Sequence, residues 1–456
     1  MAAPLPLRLE RDRRTPLGVQ LATQVRDLIT AGTLGTGDRL PSSRALAADL
    51  GVSRAVAEQG YDQLLAEGWL ETRQGSGTYV AASAHLAPVA RGTRVGVRSG
   101  ASSTPSLVTF DSGSPWIDPR HAAGWRRAWR DVAAATPPAG YPDPRGLPEL
   151  REALAAQLAR TRGLTCAPDQ ILVTTGTTDG LRLLMDALPP GPVAVEDPGY
   201  RAAVRVVRLA GREVADVPVG AAGIEVGAVP DGVRAVYVTP AHQHPLGMTM
   251  SAGTRLALLD RARELDAVVV EDDYDSEFRY DVAPLPALAT LDPDRVVYLG
   301  TASKSVTPGL RLGWLVASPA VVDEIVGLRL LTHDVASWPV QRAYLSMLRD
   351  GHVDRLVRSA RRVYADRSAR VLARLGRFGE VHTPAAGMYL TLQLPADRAR
   401  AAADAAAAAG FGVPLLGTYA RSVSRPGLLL GFGGCTDAEL DAVLHVLESA
   451  LAEVAG

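Results

Sequence analysis

Tyr298-Leu-Gly-Thr-Ala-Ser-Lys304-Ser-Val-Thr-Pro-Gly-Leu-Arg311-Leu-Gly-Trp314 holds the only lysine of a 456-residue chain in which Lys and Arg together number 48. Arginine stays protonated in proteins and cannot act as an amine nucleophile, whereas a lysine with a lowered pKa condenses with an aldehyde to a Schiff base. Lys304 is thus the one side chain suited to that chemistry. Hydroxyls flank the amine and Arg311 follows it, and hydroxyls with a guanidinium suit a phosphate. Roughly thirty residues earlier, Val268-Val-Val-Glu-Asp272-Asp-Tyr274-Asp-Ser-Glu-Phe-Arg-Tyr280 reads as an apolar strand ending in carboxylates. A carboxylate in such a place can hold a pyridine nitrogen protonated.

These stretches resemble the pyridoxal-phosphate (PLP) enzymes of aminotransferase fold type I and, more narrowly, the MocR/GabR group of GntR-family transcription regulators. The resemblance implies that Lys304 carries PLP as an aldimine, that Asp272 pairs with the pyridinium nitrogen and that Tyr274 reaches the phenolic oxygen. Glu271 and Asp273 are the rival carboxylates, and strand alternation points them to the opposite face.

Composition bounds the rest. The length calls for two or three domains. Hydrophobic residues at 47% and charged residues at 21% fit globular domains with large cores, and a net charge of -1 advertises no global attraction to nucleic acid. Two distant cysteines, Cys166 and Cys435, give no disulfide framework. No apolar run spans a bilayer, no signal peptide is visible and no metal spacing occurs among the histidines, so a cytoplasmic protein without membrane contact or metal is expected.

Residues 1 to about 14 read as a loose arm. Apolar positions at Leu17, Leu21, Val25, Leu28 and Ile29 then recur at helical spacing. A second helix opens in Leu40-Pro-Ser-Ser-Arg44, a third covers Ser53 to Leu65, and Gly68 to Val80 reads as a two-strand hairpin. This is the order of a winged helix-turn-helix over residues 1–80, and its Leu40–Arg44 phrase and Arg73–Val80 wing resemble the GntR family. The resemblance makes Arg44, Arg54 and Arg73 the DNA contacts, with Ser43, Ser53 and Gly75 as hydroxyl or backbone donors to operator DNA. Residues 1–80 carry nine arginines and nine acidic residues, so a basic face requires local clustering. A three-helix protein-interaction module is the bland alternative. Gly60 in the third helix costs about 1 kcal/mol relative to alanine.

Residues 81–107, poor in large apolar side chains, read as a flexible linker. The domain over 108–456 begins near Val108, with Trp125 and Trp129 on a first core helix. Short apolar strands at Ile171–Val173, Val193–Glu196, Ala235–Thr239, Val268–Glu271 and Val296–Leu299 alternate with amphipathic helices. That is an α/β pattern with a mostly parallel sheet, whose ligands sit at the carboxyl ends of strands. A small C-terminal α+β subdomain carries an alanine-rich helix from Arg398 to Ala409.

Thr174-Thr-Gly176-Thr177-Thr178 opens a helix, and amides and hydroxyls there make an anion site. The fold type I resemblance places the PLP phosphate on Gly176, Thr177, Thr178, Thr301, Ser303 and Arg311, and makes Tyr200 the aromatic stacked on the ring; otherwise Tyr200 is a core tyrosine closing a turn. His244 stands where aminotransferases carry an asparagine, so Gln243 and His244 are held as neighbours of the ring. The Tyr141–Arg151 stretch resembles one that extends a tyrosine to the neighbouring subunit's phosphate, which implies that Tyr141 serves a homodimer.

Two classes of function remain. One is a PLP-dependent regulator, sensing PLP itself for vitamin B6 genes or sensing an amino acid through its aldimine. The other is a working aminotransferase with a DNA-binding domain attached. Against transamination, Leu429 occupies the place of the arginine that usually forks a substrate carboxylate, a loss on the order of 1.5–3 kcal/mol. Amino-acid-sensing members also use an arginine two residues after the stacking tyrosine, where this chain has Ala202. Arg201, Arg205, Arg421 and Arg425 are left as substitutes in waiting.

Overall fold

The third helix, Arg54–Ala66, lies against the first, Leu17–Thr30, because Leu21, Ala22, Val25, Ala57 and Leu64 turn one apolar core between them. This is a computed structural model, and it describes residues 5–12, 15–73, 77–81, 107–280, 285–381 and 386–453. The chain divides into two units, Met1–Ser103 and Thr104–Gly456. The residues read as a linker lie, from 82 to 106, outside the described residues, as does Gly75.

In the first unit the second helix is Ser43–Leu50, capped by Ser42, whose hydroxyl accepts from the Ala45 amide at 3.2 Å. Ser43 is therefore the first helical residue and not the cap. Gly60 corrects the expectation of a mere cost. A Cβ there would stand 2.6 Å from Leu21 Cδ2 and 3.1 Å from the Gly18 carbonyl oxygen, so the two helices cross at a point where only hydrogen fits. The Tyr61 hydroxyl donates to the Pro41 carbonyl at 2.8 Å, tying the third helix to the start of the second. Leu70–Arg73 pairs antiparallel with Gly77–Val80, closing the wing.

The second unit is built on an eight-stranded sheet. Its order is Ile171–Thr174, Gly313–Val316, Val296–Thr301, Val268–Asp273, Ala235–Val238, Val193–Asp197, Val214–Gly220 and Gly223–Ile224. The strands from Val296–Thr301 to Val214–Gly220 run parallel, while Gly313–Val316 is antiparallel to both neighbours. Sequence reading missed three of these strands. Val214–Gly220 is half-buried and broken by Asp216 and Pro218, and the other two are short. Strand ends also move: Thr239 falls just beyond its strand, and Asp272 and Asp273 lie on theirs. Apolar side chains cover both faces, as a parallel sheet requires.

Glu380–Val381, Tyr389–Gln393 and Gly427–Gly431 form a separate antiparallel sheet. The alanine-rich helix runs Ala396–Ala408, and its Ala399, Ala402 and Ala406 are buried in one core with Leu440, Val443, Leu444 and Leu447 of the last helix, Asp437–Glu453. These alanines thus do more than favour helix. No described helix is long and apolar enough to cross a membrane.

Candidate functional site

Segments at the carboxyl ends of five strands, with Ser112 and Gly113 beside them, build a cleft of about 180 Å³. The Ile171–Thr174 strand leads into helix Thr177–Ala187 through Gly176, whose φ of 132° belongs to glycine. Behind this turn sits the Arg311 guanidinium, with Nη2 3.7 Å from the point a Gly176 Cβ would occupy. Arg311 itself holds φ 50° and ψ 56°, a left-handed conformation that costs a non-glycine residue about 1 kcal/mol or more and clusters at ligand sites. Thr301 and Ser303 place their hydroxyls 2.9 Å apart on the same wall. Exposed helix amides, two hydroxyls and one guanidinium thus converge as an anion cradle.

Opposite the cradle, Lys304 Nζ donates to the Gly113 carbonyl at 2.5 Å. Burial draws its pKa below the ordinary lysine range, against the opposing pull of Asp275, Asp111 and Asp272. A larger neutral fraction is what a nucleophilic amine requires. Ser112 and Gly113 line the cleft beside it, a contribution from 191 residues upstream that no motif announced.

Asp272 is buried at the cleft floor. Burial pushes its carboxyl up to about 7; the Tyr237 and Thr177 hydroxyls and Lys304 ease the rise, and Asp273 adds to it. Oδ2 accepts from the Tyr237 hydroxyl, while Oδ1 is buried without a hydrogen-bond partner among the described residues. A buried, half-satisfied carboxylate calls for a cationic or N–H partner from a ligand. The rival carboxylates face away. Glu271 accepts from the Leu288 and Ala289 amides at 2.8 and 2.9 Å, and Asp273 pairs with Arg162 and accepts from Tyr298, each at 2.6 Å.

Tyr200, Tyr274 and His244 complete the walls. Burial, with His242, Lys304 and Arg201 nearby, pulls the His244 pKa down to about 3, so its ring is neutral. That ring meets Tyr200, Tyr274, Tyr389 and Tyr419 edge-on at 5.2 to 5.9 Å. The Tyr274 hydroxyl donates to the His242 carbonyl at 2.9 Å and shares a 2.8 Å bond with Tyr389. Gln243 is turned away, its amide bonded to Glu196, Pro198 and the His244 carbonyl.

The structure therefore brings Gly176, Thr177, Thr178, Tyr200, His244, Asp272, Tyr274, Thr301, Ser303, Lys304 and Arg311 to one cleft. Tyr141 is elsewhere, 82% exposed, its ring stacked 4.3 Å from that of His333. The reserve arginines are committed or outside. Arg421 binds Asp216 at 2.6 Å and the Glu196 carbonyl at 2.8 Å, Arg425 binds the Val219 carbonyl, and Arg201 lies over the Tyr419 ring at 4.8 Å. Leu429 is fully buried in a cluster with Tyr274, Tyr389 and Tyr419.

In the first unit Arg44, Arg54 and Arg73 are exposed, and Ser43 and Ser53 open the second and third helices. Arg54 pairs with Glu58 at 2.8 Å; Arg73 pairs with Glu71 at 2.9 Å and lies over the Tyr79 ring. Arg39, which the motif match passed over, is exposed and bridged to Tyr79 in the same wing.

A chain that carries both a helix-turn-helix unit and an aminotransferase-type cleft defines a class of ligand-responsive DNA-binding proteins, and comparison with known proteins agrees. Residues 17–80 match the family model for bacterial regulatory proteins of the gntR family, and residues 107–447 that for aminotransferase class I and II. The chain belongs to the MocR-type GntR regulators that carry a class I and II aminotransferase domain. It is 39% identical over 378 residues to the HTH-type pyridoxine biosynthesis transcriptional regulator PdxR of Corynebacterium glutamicum, covering 82% of each chain. The probable rhizopine catabolism regulatory protein MocR of Rhizobium meliloti is 34% identical, over 97% of this chain and 95% of its own. Among solved structures, an archaeal alanine:glyoxylate aminotransferase superposes with a TM-score of 0.69 at 26% identity, covering 76% of this chain and 91% of that one. The protein is accordingly a PLP-dependent, DNA-binding transcription regulator. The cradle at Gly176, the bare Asp272 Oδ1 and a Lys304 amine that burial draws below the ordinary lysine range fit that cofactor.

Proposed function

We propose that this regulator senses PLP itself and governs genes of vitamin B6 synthesis or salvage, acting in the cytoplasm as a homodimer with a DNA-binding domain over 1–80, a linker over 81–107 and an effector domain over 108–456. The observation that carries the reading is Leu429, buried among Tyr274, Tyr389 and Tyr419, at the position to which the family resemblance assigns the arginine that holds an aminotransferase substrate's carboxylate. A site with a cofactor's partners and no carboxylate fork reports the level of the cofactor. The name of the pyridoxine biosynthesis relative supports the target genes.

Bound PLP supplies an aldehyde electrophile joined to a cationic ring. In this reading Gly176, Thr177, Thr178, Thr301, Ser303 and Arg311 hold its phosphate, and Tyr200 stacks on its ring. Asp272 keeps the ring nitrogen protonated, Tyr274 reaches the phenolic oxygen, and His244 is a neighbour of the ring. Lys304 is the nucleophile. Tyr141, with Leu331 81% exposed, belongs to the subunit interface and extends toward the neighbour's phosphate. Arg201 over Tyr419 favours a second reading, an amino-acid sensor whose carboxylate this guanidinium meets. Adding amino acids to the PLP-loaded protein separates the two. The near-visible absorption and operator affinity should both stay constant, and an amino acid that moves both would establish the second reading.

On the DNA side, Arg44→Ala and Arg54→Ala should each weaken operator binding while leaving the cofactor's absorption untouched. Losing one phosphate contact should make the log–log salt dependence shallower by about one unit. Operator affinity unchanged in both variants would reassign the first unit.

A further inference from the structure

Far along the second unit from the cradle motifs, helix His352–Leu375 presents Arg355, Arg358 and Arg362 at i, i+3 and i+7, one face of a helix. Against this face stands the short turn Pro119–His121. Between them opens a recess of about 360 Å³ lined by Arg120, His121, Arg355, Arg358, Ser359 and Arg362. Every lining side chain is basic or a hydroxyl. No lining residue is shared with the cofactor cleft.

Like charges gathered on one surface repel, so such a cluster is tolerated where counter-charge is supplied. The chain supplies little. Arg120 is held by buried Asp118 at 2.7 Å, with Ser359 donating to the same carboxylate at 2.9 Å. Arg355 has a backbone carbonyl, that of Asp350, at 2.9 Å. Arg358 and Arg362 have no ion-pair or hydrogen-bond partner among the described residues, and both are exposed. Nearby acids are engaged elsewhere: Asp354 with Arg160 at 3.1 Å, and Asp366 with Arg370 at 3.6 Å. Burial and then the surrounding positive charge, Arg355 foremost, hold the His352 imidazole below its ordinary range beneath the recess.

Two free guanidiniums, with two more directed by Asp118 and a backbone carbonyl, make a receptor for phosphate oxygens, while the Ser359 hydroxyl, already donating to Asp118, helps to hold that carboxylate. We propose that this recess is a phosphate-binding site separate from the cofactor cleft. Two sources carry that chemistry: the backbone of duplex DNA, which this regulator binds, and small phosphate-bearing solutes. A DNA contact here would add phosphates beyond those the helix-turn-helix unit reaches, giving long DNA an affinity that a minimal operator lacks.

The test uses the full-length, PLP-loaded protein and the DNA upstream of its own gene, as a long fragment and as the shortest duplex that still binds. Arg358→Ala/Arg362→Ala is compared with Arg208→Ala/Arg400→Ala, exposed arginines on other helices whose loss changes net charge equally. Anisotropy across a KCl series should show the first variant with a long-fragment salt slope shallower by about two units and a Kd raised roughly tenfold at low salt. Its binding to the short duplex and its cofactor absorption should match wild type, and the control variant should match throughout. Calorimetric titration with inorganic pyrophosphate forms the second arm. Binding lost in the Arg358/Arg362 variant alone, with both duplexes unaffected, keeps the phosphate site and assigns it to a free solute. A variant equal to wild type in both arms overturns the proposal and leaves a solvated basic face.

Discussion

Replacing Lys304 by alanine is expected to abolish covalent retention of PLP, so that the near-visible absorption is lost and borohydride fixes no cofactor where wild type retains about one per chain. No second lysine exists to substitute. The amine is already placed for the role, with burial shifting it toward the neutral form and one backbone carbonyl as its hydrogen-bond partner. Because the cradle around Gly176 and Arg311 stays intact, the variant should still take up PLP reversibly and release it on dialysis. Absorption and borohydride trapping that persist in Lys304→Ala would contradict the assignment.

The second large effect is expected at Asp272. Asp272→Ala removes one member of a buried, hydrogen-bonded charge pair and leaves the ring cation and the Tyr237 hydroxyl unanswered. Such truncations cost about 2–5 kcal/mol, or roughly 30-fold to several thousandfold in Kd for PLP. Asp272→Asn, nearly isosteric, separates charge from shape and should lose affinity almost as heavily. The same residue gives a pH signature. In the cofactor-free protein its carboxyl lies at about 7 against an ordinary 3.8. Between those values the folded state holds a proton that the unfolded chain has released, so this group's contribution to stability falls as pH rises through the window. Melting temperatures of cofactor-free wild type should drop relative to Asp272→Asn between about pH 5 and 7 and run parallel above that. A difference that stays flat with pH would show an ordinary, solvated carboxylate.

Much of the cofactor cleft was legible because its parts are local signatures. Period-two alternation along Val268–Asp273 separates Asp272 from Glu271 and Asp273, and the structure puts the latter two on backbone amides and Arg162. The turn at Gly176 and the hydroxyls around Lys304 are equally short-range. What escaped reading is what long-range topology supplies. Tyr237 bonds Asp272 from 35 residues away, and Gly113 meets Lys304 across 191; neither carries a mark of its own. Gly313–Val316 is a four-residue strand inside a motif already read for chemistry, and its antiparallel insertion is a property of the sheet. Gly60 looked like a defect until the helix crossing explained it. Arg421 looked free, yet Asp216 and Glu196 claim it through contacts more than 200 residues apart.

For PLP to act as effector, the arrangement of the protein that grips the operator must bind PLP with a different affinity from the one that does not, and linkage then makes operator affinity depend on PLP concentration. The most direct measurement titrates PLP into the lysine-intact, cofactor-free protein at fixed salt and follows the Kd for its operator, with Lys304→Ala in parallel. Operator Kd should shift by about 5-fold or more as PLP saturates the cleft, the range of typical coupling energies, with the shift displaced to higher PLP or lost in the variant. An operator Kd that stays constant from cofactor-free to saturated protein, while absorption reports full occupancy, would contradict PLP as the effector.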